Sequence, residues 1–365
     1  MYNIAITTNI KEGENIWLNG IAQNVINFYY ILKNSSKNYN LIILDTSEKY
    51  NLEYNLDNIN IDRIENVVDG LDLLFILGSQ IKDEHYNLLK NKGSKIVYYS
   101  CGSNYMLDMQ EVLFKDKNSD KKIYKHTPDE IWSIPQNYEP NKYYFETLHR
   151  RECKIIPFVW SSTFIDYILN THDIRGYYEP TNEPKRISSF DPNIDIVKYS
   201  LYNIMIVEQA YREKPELIKH LYVTNSLSIK DSPLFIDIMN HMDIVKKGIA
   251  TFESRFRTPY FLDKYTDIVI AHQMHNPLNY AYLDALYLKY PLIHNASLMK
   301  DGGYYYDGFN VKKGKEQLLF ALTEHDKNLD EYEYKSQKVL NRYLPTNEKS
   351  IKIYDKLIKD LMKKL

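Results

Sequence analysis

The feature that most constrains this chain is an alternation that runs, stops and starts again. Short apolar runs at residues 3–7, 40–44, 73–77, 95–99, 130–134 and 154–157 are separated by stretches of helical periodicity. In one of these, residues 21–32, Val25, Phe28, Tyr29 and Leu32 fall at helical spacing. A strand that is apolar on both sides can be buried only where both faces of its sheet are covered. That is the situation of a parallel sheet built from strand–helix–strand units.

The pattern breaks between residues 161 and 185, where Tyr177-Tyr178-Glu179-Pro180-Thr181-Asn182-Glu183-Pro184 is polar and rich in proline. That segment reads as an interdomain linker. The alternation then resumes with strands expected at 186–190, 220–223, 267–271 and 292–294. Helices are expected at 194–212, 232–242, 278–289, 315–325 and 330–343, and a terminal helix over 348–365. The expected organisation is therefore a first α/β domain over 1–160, a linker over 161–185, a second α/β domain over 186–345 and a terminal segment over 346–365.

Composition narrows the function classes. A length of 365 residues suits two domains, and 44% hydrophobic with 26% charged residues is the balance of a soluble globular protein. A net charge of -2 gives no footprint for nucleic acid. No run is long and apolar enough to span a bilayer, and Met1-Tyr2-Asn3-Ile4-Ala5-Ile6 lacks the features of a signal peptide. Two cysteines, Cys101 and Cys153, fit a reduced compartment. The expected location is the cytoplasm, or a host's cytoplasm if the source is viral. The richness in Asn, Ile, Lys and Tyr reads as the mark of an AT-rich genome.

Three segments carry candidate chemistry. In His275-Asn276-Pro277-Leu278-Asn279, Asn276 is a suitable helix N-cap and Pro277 suits the first helical position. The backbone of Pro277, Leu278 and Asn279 would then open a helix whose free N–H groups attract an anion. Asp284, eight residues beyond Asn276, can accept hydrogen bonds from both hydroxyls of a ribose. An ordinary capped helix with an exposed Asp is the competing account. In Phe190-Asp191-Pro192-Asn193, Asn193 can cap the helix expected at 194–212, and Lys198 in its second turn can meet a diphosphate as a point charge. A plain surface lysine is the alternative. After the first strand, Gly13 and Gly20 permit close backbone approach to a ligand, although their spacing is not the dinucleotide fingerprint.

Other groups stand beside these. Arg255 can steady charge on a leaving diphosphate, or can pair structurally with Glu253 or Asp263. His126 and His149 can orient an acceptor hydroxyl, or can be ordinary histidines. His272, His275 and His294 share a neighbourhood but lack a clear fourth ligand, so no metal is expected. Cys101, in Ser100-Cys101-Gly102-Ser103-Asn104-Tyr105, has no evident base and reads as a structural thiol.

Taken together, 13–23, 190–198, Asn276 to Asp284 and Tyr290-Pro291-Leu292-Ile293-His294-Asn295 resemble a family of glycosyltransferase-like proteins grouped as a domain of unknown function. More broadly they resemble GT-B glycosyltransferases similar to family 4. The resemblance implies two tandem Rossmann-like domains with parallel sheets facing a central cleft, and a terminal helix returning to the first domain. In the retaining enzymes of that class, two glutamates separated by seven residues touch the donor sugar and the ribose. Asn276 stands in the first position, without the charge, and Asp284 in the second. Lys198 matches one member of the basic pair on the diphosphate, and Arg255 is the looser second.

The implied activity is transfer of a sugar from a UDP- or GDP-sugar to a glycan or other hydroxyl acceptor. It implies retention, no bound metal and no tightly held cofactor. A sugar-nucleotide epimerase of the same plan is one rival, although no acid–base carboxylate pair is evident. A catalytically silent glycan-binding or assembly protein is the other, and the uncharged Asn276 favours it.

Overall fold

The computed structural model describes residues 1–9, 20–47, 59–114, 123 and 125–363. The chain divides into two compact units, Met1–Ser161 with Tyr343–Leu365, and Ser162–Arg342.

The first unit alternates as the apolar runs require. It contains β1 (Asn3–Thr8), α1 (Gly20–Lys33), β2 (Asn40–Asp45), β3 (Ile61–Asp62), α2 (Ile64–Val67), β4 (Leu73–Ile76), α3 (Asp83–Asn91), β5 (Lys95–Ser100), α4 (Asn104–Phe114), β6 (Glu130–Ser133), α5 (Pro135–His149) and β7 (Cys153–Ile155). Its seven strands are all parallel in the order β3-β2-β1-β4-β5-β6-β7. The direction of winding therefore reverses between β1 and β4.

Because strand side chains alternate between faces, Leu74 and Ile76 of β4 join Ala5, Ile42, Leu44 and Leu89 on one side. Phe75 between them points to the other side, where it meets Phe28 at 4.8 Å and Trp132 at 5.0 Å. The terminal helix, α14 (Glu348–Met362), completes that aromatic face. Tyr354 packs on Phe28 at 5.2 Å, donates its hydroxyl to Pro157 O at 2.6 Å, and lies 3.2 Å from Tyr99 Oη. Asn347 caps α14 by accepting from Ser350 N–H, and Asp355 accepts from the hydroxyls of Ser35 and Tyr39.

Gly78 follows β4 because nothing larger fits there. A Cβ at this position would stand 2.9 Å from both Thr7 O and Thr8 Cα. That closeness lets Gly78 N–H bond Thr7 O and lets Thr7 Oγ1 donate to Ser79 O, lacing β1 to the turn after β4.

The second unit contains α6 (Thr163–Thr171), β8 (Lys185–Ser189), α7 (Leu201–Glu213), β9 (Ile218–Val223), α8 (Pro233–Met239), α9 (Asp243–Lys246), β10 (Ala250–Phe252), α10 (Thr258–Tyr265), β11 (Ile268–Ala271), α11 (Tyr280–Tyr287), β12 (Leu292–His294), β13 (Tyr304–Tyr305), α12 (Val311–Glu324) and α13 (Leu329–Tyr343). Its six strands are parallel in the order β10-β9-β8-β11-β12-β13. Winding reverses between β8 and β11, the first and fourth strands of this sheet. Ile187, Leu221, Ile268, Ile270 and Ile293 from the sheet meet Ile204, Val207 and Leu318 from α7 and α12.

Residues 162–185, within the segment expected as a linker, group with the second unit. Thr163–Thr171 is helical, Tyr178 is buried, and its hydroxyl donates to Asp326 at 2.6 Å. Lys185 is buried as well, and its three ammonium hydrogens go to Asp326, Thr181 O and Tyr178 Oη. The segment looks polar in sequence because its polar groups satisfy one another inside the unit. No helix among the described residues is long and apolar enough to cross a membrane.

Candidate functional site

In an open parallel sheet, ligands bind outside the carboxyl ends of the strands where the winding reverses. In the second unit that place is occupied by the residues following β8 and β11. Asp191, two residues past β8, is only 3% exposed. Asn203 Nδ2 donates to its Oδ2 at 2.6 Å, and Gln273 Nε2 donates to its Oδ1 at 3.1 Å. Burial pushes the Asp191 carboxyl up to about 6, against the lowering effect of those donors and of the Lys198 charge.

Gln273 is held at both ends. Its backbone N–H donates to Asn295 Oδ1 at 3.0 Å, and its carbonyl accepts from Asn295 Nδ2 at 2.9 Å. Its side-chain Oε1 accepts from Asn276 Nδ2. His272 packs its ring on Tyr202 at 4.3 Å and shares a hydrogen bond of 2.8 Å with Tyr306 Oη. Burial lowers its pKa to about 4, so the ring is neutral at physiological pH. His294 is fully buried, accepts from Ala296 N–H through Nδ1 and meets Gly302 O through Nε2. Gly303, at φ 65°, lies against that ring, where a Cβ would approach to 2.9 Å. Packing thus accounts for both histidines, and among the described residues no group of three metal-ligating side chains occurs.

The structure moves two expected helix starts. Asn276 does not cap α11; Asn279 does, with Oδ1 accepting from Ala281 N–H at 3.1 Å. The reason is tertiary. Asn276 spends its amide on Gln273, His275 sits at φ 48°, and the Pro277 carbonyl accepts from Leu298 N–H instead of opening a helix. Pro277 and Leu278 therefore precede the helix, and Leu278 is core. The opening amides of Ala281 and Tyr282 are already taken by Asn279. Asp284 lies in the second turn of α11 and is 6% exposed, not on an open face.

Likewise the helix expected at 194–212 begins only at Leu201. Asp195 Oδ1 accepts from the N–H groups of Val197 and Lys198, and Asn193 Oδ1 accepts from Ser200 N–H and Oγ–H. These short side chains hold residues 194–200 in a loop, in competition with helix. Asn193, at φ 54°, organises that loop and is not the helix cap. Lys198 rides on the loop, half-buried, and its ammonium has no ion-pair partner among the described residues.

Among the remaining candidates, Arg255 adjoins Ser254, whose carbonyl accepts from Asn225 N–H, and the Asn225 amide in turn donates to Phe190 O and Asp191 O. Arg255 follows β10 and lines a cavity of about 330 Å³ with Ile168, His172, Phe256, Arg257 and Tyr260. Arg255 is exposed by area, yet the crowding around it lowers its pKa; a guanidinium starts high enough to stay charged regardless. His126, in the first unit, stacks on Tyr86 at 4.1 Å with Nε2 2.9 Å from Asp83, which fastens it to α3. Gly20 is exposed at the start of α1, and a Cβ there meets nothing within 4 Å. Gly13 lies outside the described residues. The sequence reading missed Gln273, Asn203 and Asn295. The available signal was a polar side chain placed just beyond a wholly apolar strand at the reversal of winding.

Comparison with solved structures shows the fold. A glycosyltransferase from Rickettsia africae superposes with a TM-score of 0.58 at 12% identity, covering 100% of this chain and 99% of that one. Anabaena Alr3699/HepE, solved in complex with UDP-glucose, gives 0.53 at 9% identity over 98% and 100%. A UDP-forming alpha,alpha-trehalose-phosphate synthase from Burkholderia xenovorans, solved with glucose-6-phosphate, gives 0.58 at 12% identity over 98% and 100%. The fold is that of the GT-B glycosyltransferases, with two Rossmann-like parallel sheets. Residues 4–358 match the family described as "Protein of unknown function (DUF2827)", and the chain belongs to that family. No curated protein matches the sequence.

Proposed function

We propose that this protein is a glycosyltransferase that uses a nucleoside-diphosphate sugar as donor. The observation that carries the reading is Asp284, a carboxylate in the second turn of α11, the helix that follows the reversal strand β11. An ionised carboxylate only accepts, which suits the two hydroxyls of a ribose. Lys198 supplies a cation for the diphosphate, with Arg255 as a second. Asn276 accepts from a hydroxyl of the donor sugar. Pro277, Asn279 and Asn193 shape the wall around the nucleotide.

In the reaction the bond from the anomeric carbon to the diphosphate oxygen breaks, and its electron pair leaves with the nucleoside diphosphate. A new bond forms to the acceptor oxygen, whose proton passes to the departing diphosphate. The charge that grows is on the departing diphosphate, so fixed cations near it lower the barrier most. The reading includes retention of configuration and no metal requirement. UDP is the favoured nucleotide, because a structural neighbour was solved with UDP-glucose.

The test is isothermal calorimetry with UDP, GDP and their glucose conjugates. Wild type is expected to bind one nucleotide series, and Asp284→Ala to bind it at least tenfold more weakly, the loss of one or two hydrogen bonds to a charged group. Unchanged affinity in the variant removes Asp284 from the site. Indifference of the wild type to every nucleotide, with binding of free glycans, supports the silent glycan-binding alternative that the neutral Asn276 favours.

A further inference from the structure

We propose that Asp191 and Gln273 are positioning residues for Asn276. Acting in series, they turn its amide so that Oδ1 is the atom left to accept a hydrogen bond from a hydroxyl of the donor sugar. The inference rests on the glycosyl-transfer reading and deepens it, since it explains how an uncharged side chain takes a carboxylate's accepting role.

The argument follows from which atoms can donate. An ionised carboxylate has lone pairs only, so the Gln273 amide must turn Nε2 toward Asp191 Oδ1, the 3.1 Å contact observed. Gln273 Oε1 then faces the other way and can only accept. Its neighbour there is Asn276 Nδ2, which donates to it. With Nδ2 so engaged, the Asn276 amide offers Oδ1. Each amide orientation is thus dictated by the one before it, and the series begins at the only charged member.

The parts are also fixed in space. Asn203 pins Asp191 at 2.6 Å, and Asn295 holds the Gln273 backbone through both its N–H and its carbonyl. All three members of the series are buried. In such surroundings a reversed amide would set two donors against each other, at a cost larger than the gain from one ordinary hydrogen bond.

Protonation turns the series round. A neutral Asp191 can donate to Gln273 Oε1, after which Gln273 Nε2 donates to Asn276 Oδ1 and Asn276 presents Nδ2–H. Burial brings this proton within reach, placing the Asp191 pKa at about 6. Tyr282 from α11 and Tyr306 beyond β13 face Asp191, and burial keeps both hydroxyls protonated. The His272 ring is neutral, and Lys198 contributes a charge that favours the carboxylate.

The series is tested first without ligand, by nuclear magnetic resonance of Asn and Gln side-chain amides in the full chain. Asn276→Ala and Gln273→Met supply the assignments. The Asn276 amide is expected to titrate with a midpoint near pH 6, and to stop titrating in Asp191→Asn and in Gln273→Met. No titration in wild type, or an unchanged midpoint in both variants, overturns the proposal. Calorimetry at pH 8 then compares UDP-glucose with UDP. Gln273→Met should bind UDP-glucose about tenfold more weakly while UDP affinity stays within about twofold. Equal weakening of both ligands overturns the positioning role. If wild type binds no nucleotide, the glycosyl-transfer reading falls and the sugar role of Asn276 falls with it, whereas the resonance experiment still decides whether the series exists.

Discussion

Replacing Asp191 by Asn should change how the stability of the second unit depends on pH. The carboxyl has a folded pKa of about 6 against an ordinary 3.8. Because the folded value is raised, the folded state holds this proton more tightly than the unfolded state does. The resulting stabilisation is fully present below the unfolded pKa and is lost as pH rises through about 6. The full span is roughly 3 kcal/mol, and the part between about pH 5 and pH 8 is roughly 1.4 kcal/mol. The amide that replaces the carboxyl in Asp191→Asn cannot titrate, so wild type should lose that amount relative to the variant over the same interval. Altered hydrogen bonds add an offset between the two proteins, but an offset does not change with pH.

The assay must see the second unit alone. All three tryptophans, Trp17, Trp132 and Trp160, precede it, so their fluorescence is the wrong probe. Hydrogen exchange followed by mass spectrometry of peptides spanning 185–203 and 268–287 reports local opening where Asp191 sits. Parallel pH–stability curves for wild type and Asp191→Asn would show that burial does not hold the proton on this carboxyl, and the reasoning about the site's electrostatics would be wrong.

Two further outcomes concern the first unit, where tryptophan fluorescence is the right probe. Gly78→Ala places a Cβ against two backbone atoms at 2.9 Å and should destabilise by about 1–3 kcal/mol, read as a lower urea midpoint at unchanged slope; an unchanged midpoint refutes the close approach of β1. Tyr354→Phe loses the bond to Pro157 O and should cost about 1 kcal/mol, whereas Tyr354→Ala should cost about 3–5 kcal/mol. The reverse order would mean that the hydroxyl, and not the ring, anchors α14.

The long elements were legible because burial on both faces leaves a strong signature. β1, β2, β4, β5 and β6 lie within one residue of their expected bounds. The short edge strands were not legible. β3 and β13 have two residues each and β10 three, and Tyr304–Tyr305 reads as readily as packing beside a turn. Helix starts failed at Asn193 and Asn276 for a common reason: a residue suited to capping was engaged by another partner, Ser200 seven residues on in one case and Gln273 three residues back in the other. Local preference sees the cap and not the competitor. Asp191 appeared in the sequence only as part of a turn. Its burial, which raises its pKa, and its donors Asn203 and Gln273, which oppose that rise, come together only in the fold.

The chain leaves the first unit after Ser161 and re-enters it at Tyr343, where Trp160 N–H bonds Tyr343 O. During synthesis the ribosome must therefore make 162–342 before it reaches α14. At ~5–20 residues per second that delay is about 10–40 seconds. For that time Phe28, Tyr99 and Trp132 lack the tyrosine that later covers them. The half made first is the half finished last, and a chaperone that shields aromatic surface would find its client there.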